Sequence, residues 1–384
     1  MAQAPHLPIE SSYTKGLWVR YGGQDITDEQ IKFAAEHYSV AILQPDDEPA
    51  AARLKELRPS MVVLCYKCLS STRNYENPGK YITSGVSYRE AEEAEKAGGK
   101  WFARRLNGEK IEWNGYGGHF QMAVWNPEYR ARWIENVCAM LKDSPFDGVM
   151  ADNDIHGDYY GLNLPIQDAK ELKVFHDALE RLVIDAGTAL NKMDKILVPN
   201  IAESRENPGK WERHSAYGGG FEEVFLGWAV DTYLDFSATR AMIAQMPPEF
   251  KRVQLASKWV PRLTLLRAST DGSDRHYGFT GALAAFWVFG GGQWTAISAG
   301  GIDAHNDTPW IEEQGWDLGH PMGEIQFVNG AYVREFSAGW AAANISGSRS
   351  GKVSIPSGYV DYQGRSLSSI YLDGHHGVVL RKPE

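Results

Sequence analysis

Between Gly16 and Ser298, short apolar runs alternate with longer amphipathic stretches eight times over. Strands separated by helix-length segments cannot pair as hairpins, so they lie parallel. The runs cover residues 16–21, 40–44, 61–66, 146–152, 195–201, 219–225, 252–257 and 293–298. The stretches between them carry helix punctuation. Thr27 with Gln30 three positions on forms a capping box, and Asn126-Pro127 opens a later helix. Residues 278–291 are apolar on every side, as in a buried helix. Eight such units in roughly 300 residues match a (β/α)8 TIM barrel. No GxGxxG follows the first strand and no GxxxxGK[ST] occurs, which argues against a doubly wound nucleotide-binding sheet.

Two stretches break the rhythm. Residues 68–124 form a polar, aromatic, glycine-rich excursion between the third and fourth strands, and loops of that length are usually functional. Past Gly330 the chain turns to short runs broken by glycine, the pattern of an antiparallel meander. The expected organisation is a catalytic barrel over residues 1–327 and a small antiparallel β domain over 328–384.

The formal net charge of −10, with no Lys/Arg run, excludes nucleic acid as the main partner. No apolar run is long enough to span a bilayer, so no membrane partner is expected. The opening MAQAPHLPIESS lacks the charged and apolar regions of a leader. That implies a cytoplasmic protein or a mature form whose leader has been removed. Cys65 and Cys68 end the third strand rather than opening a helix, so with Cys138 they read as plain thiols. There is no HExxH, no His-x-His and no GxSxG, so neither a metal, a cofactor nor a serine nucleophile is expected.

Barrel enzymes place their chemistry at the C-terminal ends of the strands. That rule puts Tyr21, Gln44, Lys67, Asp152, Asn200, Glu222, Lys258 and Ser298 on one rim. An Asp leaving an apolar strand, as Asp152 does, is costly without a partner or a task. In the sixth strand only one of Glu222 and Glu223 can face inward, because side chains alternate. Two carboxylates from different strand ends suit glycosidic bond hydrolysis, one protonating the leaving oxygen and the other attacking or activating water. Phe221 and Trp228 would supply an apolar wall that keeps Glu222 protonated as general acid, and Asp152 would stay ionised beside Asn153, Asn200 and Lys67. Glu203, Glu223 and Asp154 are the alternates. Trp18, Arg20, Lys67, Trp113, His119, Asn200, Trp228, Lys258 and Trp259 are the expected substrate-binding residues.

Three motifs then occur in order. FDGVMAD ends the fourth strand at Asp152, GGFEEVF forms the sixth, and Leu318-Gly319-His320-Pro321-Met322-Gly323 precedes Tyr332-Val333-Arg334-Glu335-Phe336, Gly339 and Asn344. Together they resemble the glycoside-hydrolase-like barrel families that are distant relatives of the endo-α-1,4-polygalactosaminidases. The resemblance implies a barrel glycosidase with Asp152 and Glu222 in the catalytic positions. The expected function is therefore hydrolysis of O-glycosidic bonds in a polysaccharide or glycoconjugate. The alternatives are a non-catalytic carbohydrate-binding module on a barrel scaffold, and a barrel lyase or isomerase using Lys67 or Lys258.

Overall fold

The computed structural model describes residues 15–23, 25–229, 232–301 and 308–383. The chain's first residues, on which the reading of a missing leader rests, lie outside them. Eight parallel strands organise the larger part of the molecule. They are β1 (Leu17–Arg20), β2 (Val40–Leu43), β3 (Val62–Cys68), β4 (Gly148–Asp152), β5 (Ile196–Pro199), β6 (Gly219–Glu222), β7 (Leu263–Ser269) and β8 (Ala296–Gly300). β1 to β5 pair in order as one sheet and β6 to β8 as another. Parallel bridges close both seams: Leu197–Gly218 and Asn200–Phe221 between β5 and β6, and Gly16–Ile297 between β8 and the start of β1. The pairings thus run in a cycle.

The helices are α1 (Asp28–His37), α2 (Glu48–Leu57), α3 (Tyr88–Lys96), α4 (Pro127–Leu141), α5 (Leu172–Asn191), α6 (Lys210–His214), α7 (Phe236–Gln245) and α8 (Tyr277–Gly290). Thr27 caps α1 in the expected box and Asn126 caps α4. Among the described residues no helix is long and apolar enough to cross a membrane.

Alternation along the strands sorts the side chains into two cores. Leu17, Val19, Tyr21, Ile42, Leu64, Tyr66, Met150, Val198, Phe221 and Leu265 pack together inside the cycle. Trp18, Ala41, Val63, Cys65, Val149 and Ala151 pack outward with α1, α2, α4 and α5. This parity fixes which strand-end residues reach the inside.

The seventh strand corrects the sequence reading. Arg252–Gln254 pairs antiparallel with Trp259–Pro261 in a small hairpin, and the cycle's strand is Leu263–Ser269, buried at every position. RVQLAS has the composition of a strand but not the burial, with Gln254 exposed. Ser257 donates to Asp194, in the turn leading into β5, through its N–H (2.8 Å) and hydroxyl (2.6 Å). Lys258 and Trp259 therefore sit at the N-terminal ends of the strands, opposite Asp152.

The excursion is more ordered than its composition suggests. Ser71–Arg73 and His119–Gln121 pair antiparallel, and α3 between them has its own Ser87–Glu90 capping box. Toward the C-terminus, β9 (Gln326–Val328), β10 (Ala331–Glu335), β11 (Gly339–Ala343) and β12 (Gly377–Arg381) form an antiparallel sheet in that order. One face lies on α8. Gly281 and Gly377 permit the close approach, since a Cβ on Gly281 would fall 2.1 Å from the His375 carbonyl oxygen.

Candidate active site

A cavity of about 310 Å³ opens at the C-terminal ends of the parallel strands. Asp152 ends β4 on the inner face. Its Oδ2 accepts from the Tyr66 hydroxyl (2.7 Å) and Asn153 Nδ2 (3.1 Å), and its Oδ1 from Asn200 Nδ2 (2.9 Å) and the Asn153 N–H (2.8 Å). Four donors converge on one carboxylate, which fixes its orientation. Asn200 Nδ2 also donates to Glu223 Oε2 (2.7 Å). Both bonds meet at one nitrogen, so the engaged oxygens can be no farther apart than the two lengths laid end to end, about 5.6 Å. Glu223 lies 3.7 Å from the Arg267 guanidinium on β7.

Glu222 is not in this cavity, which corrects the expectation from sequence. With Phe221 packed inward, Glu222 points outward and is wholly buried. It accepts from the backbone N–H groups of Glu203 (3.0 Å), Ser204 (3.2 Å) and Val224 (3.3 Å). Burial pushes its carboxyl up to about 7, against the pull of these three donors. The residue that follows it, Glu223, faces the cleft.

The other two alternates are structural partners. Glu203, in a left-handed conformation (φ 54°), bonds His156 Nε2 (2.6 Å), the Tyr159 hydroxyl (3.0 Å), Arg205 (2.7 Å) and Trp228 Nε1 (3.0 Å). Burial raises its carboxyl, but His156, Arg205 and Trp228 outweigh that and hold it down at about 2. A group so acidic is a poor proton donor at neutral pH. Asp154 is buried against His214 Nδ1 (2.5 Å) and Lys210 Nζ (3.1 Å). Burial pushes it up, but its contacts with His214 and Lys210 hold it well below the usual carboxylate range.

Of the expected substrate-binding residues, Trp113, His119, Asn200 and Trp228 line the cavity. Trp113 is nearly covered, stacked on Tyr160 at 4.1 Å with its Nε1 donating to Gln121 (2.9 Å). Trp228 is exposed. Burial and the adjacent Arg73 guanidinium lower the His119 imidazole, whose Nε2 accepts from Arg73 Nε (2.5 Å). The remaining five lie elsewhere. Trp18 packs outward on Tyr38, and Arg20 is buried and donates to the Asp25 carbonyl oxygen. Lys67 has the outward parity of β3 and donates to the Ile82 carbonyl oxygen behind the strand, and Tyr66 takes the inward place. Lys258 and Trp259 are at the far end, as described above. This removes both lysines of the lyase reading from the cleft.

Tyr66, Arg73, Tyr116, His156, Tyr159, Tyr160, Arg267 and Ser269 also line the cavity, as do Tyr21, Gln44 and Asp154. Tyr66 was legible from parity once Asp152 was placed inward, and Arg267 and Ser269 lay in the run LTLLRAS. No group of three or more His, Cys, Asp or Glu side chains poised to hold a metal occurs among the described residues.

Enzymes built on parallel strands gather their reacting groups at the C-terminal strand ends, whatever their chemistry. The family model for hypothetical glycosyl hydrolase family 15 matches residues 55–340, and the chain belongs to that family. The match agrees with the resemblance read from the sequence motifs. No curated protein matches the chain.

Among solved structures, the noncanonic maltogenic α-amylase AmyB from Thermotoga neapolitana is similar, with TM-score 0.51 and 9% identity, over 96% of this chain and 98% of that one. The cycloalternan-degrading enzyme from Trueperella pyogenes gives TM-score 0.51 and 13% identity, over 96% of this chain but 62% of its own. The glycoside hydrolase domain of PelA from Pseudomonas aeruginosa overlaps less closely, at TM-score 0.45 and 12% identity over 76% and 96% of the two chains. At these identities the likeness to the first two is one of fold.

Proposed function

We propose that the protein is a glycosidase that hydrolyses O-glycosidic bonds of a polysaccharide or glycoconjugate with retention of configuration. Asp152 is the nucleophile and Glu223 the general acid and base. The observation that carries this reading is the Asn200 amide bonded to both carboxylates. The nearest oxygens of the pair lie within about 5.6 Å of each other, which suits the close carboxyl pair of retaining enzymes, about 5–5.5 Å apart. The cycle of eight parallel strands is read as a closed (β/α)8 barrel, with the antiparallel sheet after about residue 327 as a small β domain.

In the first step Glu223 gives its proton to the glycosidic oxygen while an Asp152 oxygen bonds the anomeric carbon and the C–O bond breaks. In the second step Glu223 takes a proton from water, the water oxygen bonds the anomeric carbon, and Asp152 leaves as carboxylate. The four donors on Asp152 suit a group that must present a fixed oxygen and regain its charge. Trp228 and Tyr116 offer exposed ring faces at the mouth, where sugar C–H patches can stack.

The test is hydrolysis of a panel of cell-wall and capsular polysaccharides, with released fragments identified by mass spectrometry. Asp152→Asn and Glu223→Gln serve as controls. Product that appears with the wild type and disappears with both variants supports the reading. Equal turnover by all three proteins refutes it.

A further inference from the structure

Glu203 stands in the loop after β5, and its carboxylate reaches the loops on both sides. Its Oε2 pairs with His156 Nε2 (2.6 Å) and accepts from the Tyr159 hydroxyl (3.0 Å), both in the loop after β4. Its Oε1 accepts from Trp228 Nε1 (3.0 Å), in the loop after β6, and from Arg205 (2.7 Å) of its own loop. One side chain thus staples three successive strand-end loops. Three of its four partners, His156, Tyr159 and Trp228, line the cavity that holds Asp152 and Glu223, while Glu203 lies buried behind them.

A buried acid that needed only satisfaction could take backbone N–H groups, as Glu222 does. Glu203 spends its oxygens on side chains of the cavity wall instead. It does so from a left-handed backbone (φ 54°), which a residue with a Cβ keeps only where its surroundings impose it. The Glu222 carboxyl supplies part of that constraint by accepting from the N–H groups of Glu203 (3.0 Å) and Ser204 (3.2 Å).

The two tryptophans of the wall differ in what they leave open. Trp113 is 5% exposed and stacked on Tyr160. Trp228 is 38% exposed, with its Nε1–H edge pinned to Glu203. An untethered indole on a loop turns about two side-chain bonds, and a ligand that stacks on it must first stop that motion. A hydrogen bond to an ionised carboxylate is of the stronger kind and stops it in advance.

We propose that Glu203 is a positioning residue for the substrate: by holding the Trp228 indole, together with His156 and Tyr159, it sets one wall of the cleft before a glycan arrives, and a pyranose ring of that glycan stacks on Trp228. The proposal rests on the glycosidase reading above for the chemistry of the ligand. Glu203 touches neither the substrate nor the reacting atoms, so it acts on binding and not on bond cleavage.

The experiment uses the full chain with tryptophan labelled by 15N in the indole. Trp228→Phe identifies the Trp228 Nε1–H resonance by removing it. Glu203→Gln should shift that resonance upfield and speed its exchange with water, because the glutamine nitrogen faces donors where an oxygen accepted. The probes are maltohexaose, cellohexaose, chitohexaose and acid-hydrolysis fragments of the polysaccharide panel above. At least one should move the resonance in the wild type and bind Glu203→Gln roughly 2- to 10-fold more weakly, the size of ordering one side chain on binding. Trp228→Ala, which removes the ring, should lose more. Where the glycan is cleaved, the loss in Glu203→Gln should appear in KM with kcat kept. A Trp228 resonance that is the same in wild type and Glu203→Gln, one that no probe moves, or a loss in kcat with KM unchanged overturns the positioning role. If Glu203→Gln does not fold, Trp228→Phe decides, since it keeps a ring, drops the tether and leaves Glu203 its other three partners. Weaker glycan binding then supports the proposal and wild-type affinity overturns it. A probe that moves the resonance while no glycan is cleaved removes the glycosidase reading and leaves the staple standing.

Discussion

Glu222→Gln isolates the carboxylate that the fold turns away from the cleft. The Glu222 carboxyl is raised by burial from 4.5 to about 7, which at about 1.4 kcal/mol per pH unit disfavours its ionised form in the folded state by roughly 3 kcal/mol. The sign follows from proton counting. Between pH 4.5 and 7 the folded chain holds a proton that the unfolded chain has released, so this group's contribution to stability falls as pH rises and levels off above about 7. Glutamine has no such dependence. Its amide nitrogen does, however, turn a donor toward backbone N–H groups that Glu222 now accepts from, a mismatch of about 1–3 kcal/mol. The variant should therefore be less stable than wild type near pH 4.5 and close to level with it near pH 7.5. Urea unfolding of both proteins at half-unit steps between pH 4.5 and 8 reads the difference directly, and shared contributions from other groups cancel. A stability difference that stays flat across that range would refute the assignment of Glu222 as a buried carboxylate titrating near neutrality.

Activity should separate the neighbouring acids, with Glu223→Gln and Asp152→Asn each losing on the order of 10²-fold or more in kcat while Glu222→Gln keeps most of the wild-type rate in the polysaccharide assay. Asp154→Asn strands the buried Lys210 and His214 without their anion and should cost about 3–5 kcal/mol in chemical unfolding; a loss below 1 kcal/mol would deny the cluster its structural role. Glu203 is held low by its donors, so its contribution to stability is present above pH 4.5 and is lost as pH falls toward 2; the melting-temperature gap between wild type and Glu203→Gln should close over that window. Gly148→Ala places a Cβ 2.1 Å from the Ile196 carbonyl oxygen on the adjacent strand, and should cost about 1–3 kcal/mol or more in thermal unfolding because neither backbone can yield.

The alternation of apolar runs and helices placed seven of the eight parallel strands, since a strand buried on both faces reads as a continuous apolar run. RVQLAS and LTLLRAS look alike on that criterion. Only tertiary pairing shows that the second continues the cycle, and with it go Arg267 and Ser269. Asp152 was legible because an acid at the end of an apolar strand is conspicuous. The choice between Glu222 and Glu223 was not, because one slip of register exchanges the faces of a strand. Inward packing of Phe221 settles it, and nothing in the string GGFEEVF states which way Phe221 points. The same parity displaced Lys67 in favour of Tyr66. His156, Tyr159 and Tyr160 come from the loop after β4, whose path depends on the Glu203 and Asp154 contacts and leaves no periodic trace.

The helix α8 is buried along nearly its whole length, with Phe279, Leu283, Phe286 and Trp287 among its covered side chains. It shares one hydrophobic cluster with Ala341, Ala343 and Val379 of the antiparallel sheet and with Phe336 in the turn between β10 and β11. Such a helix has no face of its own for water. The sheet therefore covers an apolar helix of the eight-stranded part rather than hanging from it as an appendage. A chain cut before Gln326 would present a wide apolar strip to solvent and self-associate. This sheet is poorly placed to be exchanged for another module, because any replacement must bring a glycine to the contact that Gly377 makes with Gly281 of α8.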